Sequence, residues 1–132
     1  RRRDGYAASL TDHGIDLDPA LMRSGEMTEV FGYECSRDML NSDDAPTAIL
    51  CSSLISALGV RRAIEEKGLV MGKDVSVITH DDALSYLQNG SDVPIFTATR
   101  SSVRDAGRRL AEMLLTAIAI PLMPPQTHLL DS

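Results

Sequence analysis

The chain has 132 residues, 43% hydrophobic and 24% charged, and its 13 Lys or Arg against 19 Asp or Glu leave a net charge of −6. Length and balance fit one folded domain and exclude collagen-like, low-complexity and strongly charged disordered chains. The acidic total argues against this segment gripping a phosphate backbone by itself, and no apolar run approaches the ~18 residues of a membrane span.

In chain order, Arg1-Arg2-Arg3-Asp4 is not followed by an apolar stretch, so no secretory signal is read there. An opening Arg in place of Met is expected of a fragment, a processed product or an unresolved start. From Arg2 to His13, Tyr6, Ala7 and Leu10 fall at helical spacing, and Gly14 follows as a stop. Asp16 to Pro19 reads as a loop and Leu21 to Gly25 as a short strand. Thr28 then caps a helix carrying Phe31, Cys35, Met39 and Leu40, which ends in Asn41-Ser42-Asp43-Asp44 before Pro46.

Thr47 to Cys51 is a short apolar run suited to a buried parallel strand. Ser52 or Ser53 caps a helix through Leu54, Leu58 and Ile64 to Lys67, stopped by Gly68. Val75 to Thr79 is a second strand, Ala83 to Leu87 a helical turn, and Ile95 to Thr99 a third strand. The clearest element is the last helix, where Val103, Ala106, Leu110, Leu114 and Ile118 make one apolar face and Asp105 pairs with Arg109 on the other. Prolines 121, 124 and 125 end it, and Thr127 to Leu130 starts a final strand. Strands alternating with helices predict an α/β fold, a parallel sheet with helices on both faces.

Ligands of such sheets bind beyond the carboxyl ends of the strands. Two places qualify: Ser52-Ser53, and His80-Asp81-Asp82. Hydroxyl and carboxylate groups there suit a polyhydroxylated ligand. Plain structural roles stand beside that reading: one serine as a helix cap, one aspartate as a cap for the turn at Ala83, and His80 as a packed or surface ring. Catalysis is disfavoured. His80 and Asp81 are adjacent, so a triad with Ser53 would need successive strand residues to share one face. Neither a nucleophile elbow nor a P-loop is present. No metal or other cofactor is expected. The doublets Asp43-Asp44 and Asp81-Asp82 lack converging partners, and Cys35 and Cys51 lack a further Cys or His at zinc spacing, so both read as small core residues of a reducing cytoplasm.

Four stretches carry a resemblance. They are Arg2-Arg3-Asp4-Gly5-Tyr6-Ala7-Ala8; Pro46-Thr47-Ala48-Ile49-Leu50-Cys51 with Ala57-Leu58-Gly59 to Gly68-Leu69; Asp74-Val75-Ser76-Val77-Ile78 with Asp81-Asp82; and Thr97-Ala98-Thr99-Arg100 through Gly107-Arg108-Arg109-Leu110-Ala111. In order and spacing they resemble the effector-binding domain of the LacI/GalR family of bacterial transcriptional regulators. The resemblance implies a periplasmic-binding-protein-like fold of two lobes around a cleft, of which this chain holds mostly the carboxyl-terminal lobe. Residues 1–99 would belong to that lobe, 100–126 would cross to supply a helix to the other lobe, and 127–132 would return as a strand.

The resemblance also assigns roles. Arg2, Met27, Ser53, His80, Asp81 and Ser101 would line the effector site, and Leu54, Leu58 and Arg61 (or its neighbour Arg62) would face a second copy in a homodimer. Several positions depart from the family: Ser52-Ser53-Leu54 replaces Ala-Asn-Asp, Thr79-His80 replaces Gly-aromatic, and Ser101 replaces Gln. The function implied is a cytoplasmic, non-enzymatic sensor of a small polar effector, probing for a sugar or sugar derivative, which allosterically controls operator DNA binding through an amino-terminal headpiece outside this chain. A sugar-binding protein of an ABC transporter, with the same fold, is the alternative. A small α/β hydrolase is the third and least supported reading.

Overall fold

A computed structural model describes residues 2–80, 95–99 and 102–129. The chain divides into two compact units, Arg1–Ala98 and Thr99–Ser132.

In the first unit, helix α1 spans Arg2–Asp12, α2 Glu29–Leu40 and α3 Leu54–Glu66, while strand β1 spans Ala48–Cys51 and β2 Ser76–His80; β3, Thr97–Thr99, ends on the first residue of the second. The helix starts follow hydroxyl chemistry. Thr28 Oγ1 accepts the Phe31 amide at 3.1 Å, and Ser53 Oγ accepts the Ser56 amide at 3.3 Å. Each cap satisfies an amide that the helix cannot, worth about 1 kcal/mol. Helix α3 stops where Gly68 turns left-handed at φ +75°.

The described strands form one sheet in the order β1-β2-β3. Strands β1 and β2 run parallel in a register that pairs Leu50 with Ile78 and Cys51 with Thr79. The connection between them is α3, as a parallel pair requires. Side chains alternate across the sheet. Cys51, Val77 and Thr79 are buried on the side where Ala57, Val60 and Ile64 of α3 complete a core with Leu40 and Phe96. Complete burial of Ile64 alone is worth about 1.5–3 kcal/mol. On the opposite side Leu50 and Ile78 remain 63% and 44% exposed. The parallel α/β class therefore holds, with the covering helices seen on one face among the described residues.

Helices α2 and α3 bring their backbones into close approach at two glycines. A Cβ on Gly32 would overlap the Ser56 carbonyl, and one on Gly59 would overlap the Glu29 carbonyl and crowd the Tyr33 amide. Only glycine permits that approach.

Three local expectations are corrected. Leu21 to Gly25 is not a strand. Pro19–Leu21 forms a short 3-10 turn, with Asp18 accepting the Ala20 amide at 2.8 Å. Arg23 donates to the Ala20 and Met22 carbonyls at 2.7 and 2.9 Å, so local groups take the bonds a ladder would need. Thr127 to Leu129 is likewise not a strand, with Leu129 85% exposed. On the last helix Asp105 pairs with Arg108 at 3.1 Å, and Arg109 turns to Glu112, also at 3.1 Å.

The second unit is built on that helix, α4, Val103–Ala119, capped by Ser102 Oγ on the Asp105 amide at 3.1 Å. Met123, Pro124 and Pro125 fold back beside Leu110, Leu114 and Ala117. Leu110, Leu114 and Ile118 nonetheless stay 65%, 62% and 66% exposed.

Candidate ligand-binding site

The end of β1 collects polar groups. Arg2, near the start of α1, donates from Nη1 to the Ser52 carbonyl at 2.9 Å, and the same nitrogen lies 4.0 Å from the Met27 sulfur. Two of the residues the resemblance assigns to an effector, Arg2 and Met27, thus meet at the carboxyl end of a parallel strand, where the topology leads ligands. A guanidinium has five N–H donors in a planar fork. The bond to Ser52 orients that fork and leaves donors for a ligand.

Ser53 lies one residue on and is 1% exposed. Its oxygen accepts the Ser56 amide at 3.3 Å, and its proton goes to Ser56 Oγ at 3.2 Å. It is the cap of α3, whereas Ser52 is exposed.

His80 closes β2 and is half-buried. Thr79 before it is fully buried, with its hydroxyl donating to the His80 carbonyl at 3.3 Å. Asp81, its neighbour Asp82 and Ser101 lie outside the described residues, as does the helical turn expected from Ala83 to Leu87. The residues assigned to a dimer face sit on α3. Leu54 and Leu58 are partly buried against the core, and Arg61 donates to Glu65 at 2.7 Å.

Sequence reasoning misses Ser56, which receives Ser53, and misses the hold of the Ser52 carbonyl on Arg2. Strand alternation could separate Ser52 from Ser53, but Ala48 to Cys51 is apolar throughout and hides which side of the strand is the core, and Ser56 lies on α3, where that alternation does not apply.

Both cysteines are free. Cys51 is buried and burial pushes its thiol up to about 11, while burial also raises half-buried Cys35. Neither has the lowered pKa of a reactive thiol. No described helix is long and apolar enough to cross a membrane.

The model of one protein family, the periplasmic binding protein-like domain, matches residues 1–132. The chain belongs to this family. Within the periplasmic-binding-protein-like domains its similarity runs to transcriptional regulators, as the motifs led us to expect. It is 44% identical over 119 residues to the HTH-type transcriptional regulator AglR of Rhizobium meliloti, covering 89% of this chain and 33% of that protein. The chain thus spans about a third of the length of the curated relatives it matches. Among solved structures, a LacI-family regulatory protein from Chloroflexus aggregans superposes with a TM-score of 0.79 at 30% identity, over 96% of this chain and 44% of that one. A sugar-binding LacI-family regulator from Escherichia coli, complexed with phosphate, gives a TM-score of 0.74 at 27% identity, over 96% of this chain and 44% of that one.

Proposed function

We propose that this chain is part of the effector-sensing domain of a cytoplasmic LacI-type regulator, and that its ligand is a small hydroxyl-rich molecule, a sugar or sugar derivative. The observation that carries the reading is the Arg2 guanidinium anchored on the Ser52 carbonyl beside Met27. A planar fork suits paired hydroxyls, and the exposed thioether offers an apolar contact for a ring face. A serine at the end of β1, with His80, Asp81 and Ser101, would complete the contacts. The sugar-binding regulator among the similar structures favours the same ligand class.

The work done is binding, with no chemical step. A ligand that contacts one lobe arrangement better than another biases the equilibrium by that difference. In a homodimer joined across α3 near Leu54, Leu58 and Arg61, the shift would change how two headpieces outside this chain meet an operator. The regulators among its relatives favour this role over transport.

Titration calorimetry of the full-length protein against a panel of mono- and disaccharides tests the ligand, and operator anisotropy with the same panel tests the response. Binding of one sugar coupled to a change in operator affinity is expected. Absence of both removes the proposal.

A further inference from the structure

The doublet at the end of β1 offers two hydroxyls, and the backbone distinguishes them. β1 ends at Cys51, and the chain bends through Ser52 and Ser53 before α3, Ser53 itself being extended at φ −152° and ψ 154°. Cys51 is buried, Ser52 exposed and Ser53 buried again. The core therefore claims residue 53 and leaves residue 52 in the open. The β1–β2 register ends with Cys51 opposite Thr79, so Ser52, the first residue after β1, follows at the same end of the sheet as His80, the last residue of β2.

Chemistry agrees with geometry. The Ser53 proton and oxygen are both engaged with Ser56, and turning the hydroxyl outward would uncap α3. Among the described residues the Ser52 hydroxyl has no partner, while its own carbonyl holds Arg2 at 2.9 Å. One residue thus fixes the guanidinium by its backbone and presents a hydroxyl from its side chain.

We propose that Ser52, and not Ser53, is the specificity-determining serine, and that it pairs with Arg2 to bind adjacent hydroxyls of the ligand. This rests on the sensing function above and refines it. A ligand hydroxyl donating to or accepting from Ser52 Oγ leaves its neighbour within the fork of Arg2.

The test uses the full-length protein. Ser52→Ala should weaken the tightest-binding sugar of the panel about fivefold, the worth of one hydrogen bond, at an unchanged melting temperature. Ser53→Ala should lower the melting temperature and leave affinity within about twofold. Ser53→Thr, which keeps a capping hydroxyl, should keep affinity too and serves if the alanine variant does not fold. Independently of any sugar, Ser52→Cys should react with iodoacetamide far faster than Ser53→Cys, read at the residue by mass spectrometry, and bound sugar should slow it. Loss of affinity in folded Ser53→Ala or Ser53→Thr but not in Ser52→Ala overturns the proposal, as does equal or reversed labelling. A wild-type protein that binds no sugar removes the carbohydrate reading instead, and the labelling contrast still decides between the two serines.

Discussion

The guanidinium carbon of Arg62 lies 3.7 Å from the centroid of the Tyr33 ring, and the Tyr33 hydroxyl donates to Glu66 at 2.6 Å. Arg62 also reaches Glu29 at 2.8 Å and Glu66 at 3.3 Å. One side chain of α3 thereby stacks on one turn of α2 and pairs with another. Because the cluster faces solvent, each contact is worth little alone, and its value lies in being shared. Arg62→Ala and Tyr33→Leu should each lower the urea midpoint slightly, and the double variant should lose less than the sum. Arg62→Lys should fall in between, since an ammonium keeps charge without the flat stack. Strict additivity would show that the ring and the guanidinium do not act together.

Beneath that cluster the two helices touch backbone to backbone. Gly59→Ala puts a methyl group into the Glu29 carbonyl, and Gly32→Ala puts one into that of Ser56. Each should cost about 1–3 kcal/mol, more than any single change in the Tyr33 cluster. Chemical denaturation of each variant measures it. The atoms met are peptide groups with no other rotamer to adopt, so the two helices would have to move apart, and a gain in stability, the usual effect of Gly→Ala within a helix, would contradict the packing.

The Cys51 thiol predicts how stability falls in alkali. With its pKa raised by burial to about 11, the native state holds the proton after the unfolded chain, near 9.0, has released it. Unfolding then releases a proton, so stability falls as pH rises. The contribution is fully present below pH 9 and declines by roughly 1.4 kcal/mol per pH unit until the native thiol also ionises. Cys51→Ala should flatten that part of the stability profile while lowering stability at neutral pH through lost packing. At pH 8, iodoacetamide should leave Cys51 unmodified in the native protein and label it after denaturation.

Helix α4 carries Leu110, Leu114 and Ile118 largely in the open. A soluble monomer seldom tolerates so continuous an apolar row. The 132-residue chain produced by itself should be poorly soluble or marginally folded, bind a hydrophobic dye, and improve when Leu114 and Ile118 are replaced by polar residues. A sharp cooperative melt of the unsubstituted monomer would contradict this.

What could be read in advance follows how local the cause is. Helices α2, α3 and α4 carry their caps and stops in neighbouring residues, so Thr28, Gly68 and the row ending at Ile118 announced them. Side-chain bonds to the backbone and contacts between distant elements were illegible. Nothing in Asp18-Pro19 tells that Arg23 will tie up the following carbonyls and leave no strand. Gly32 and Gly59 each look like an ordinary helix-weakening glycine until the partner helix is present. At the candidate site, the resemblance grouped Arg2 with Met27, and the structure brings them together at the end of β1, but which of Ser52 and Ser53 is exposed depends on which side of β1 is covered, and an unbroken apolar run carries no sign of that.

The seam between Gly32 and Gly59 also limits how this protein can drift. Most interiors absorb a replacement when a neighbour adopts another rotamer; here the neighbours are peptide groups, which have none. Room for a larger residue at either position comes from moving the two helices apart, at the expense of the core they share, so change is tolerated more readily in the solvent-facing clamp around it.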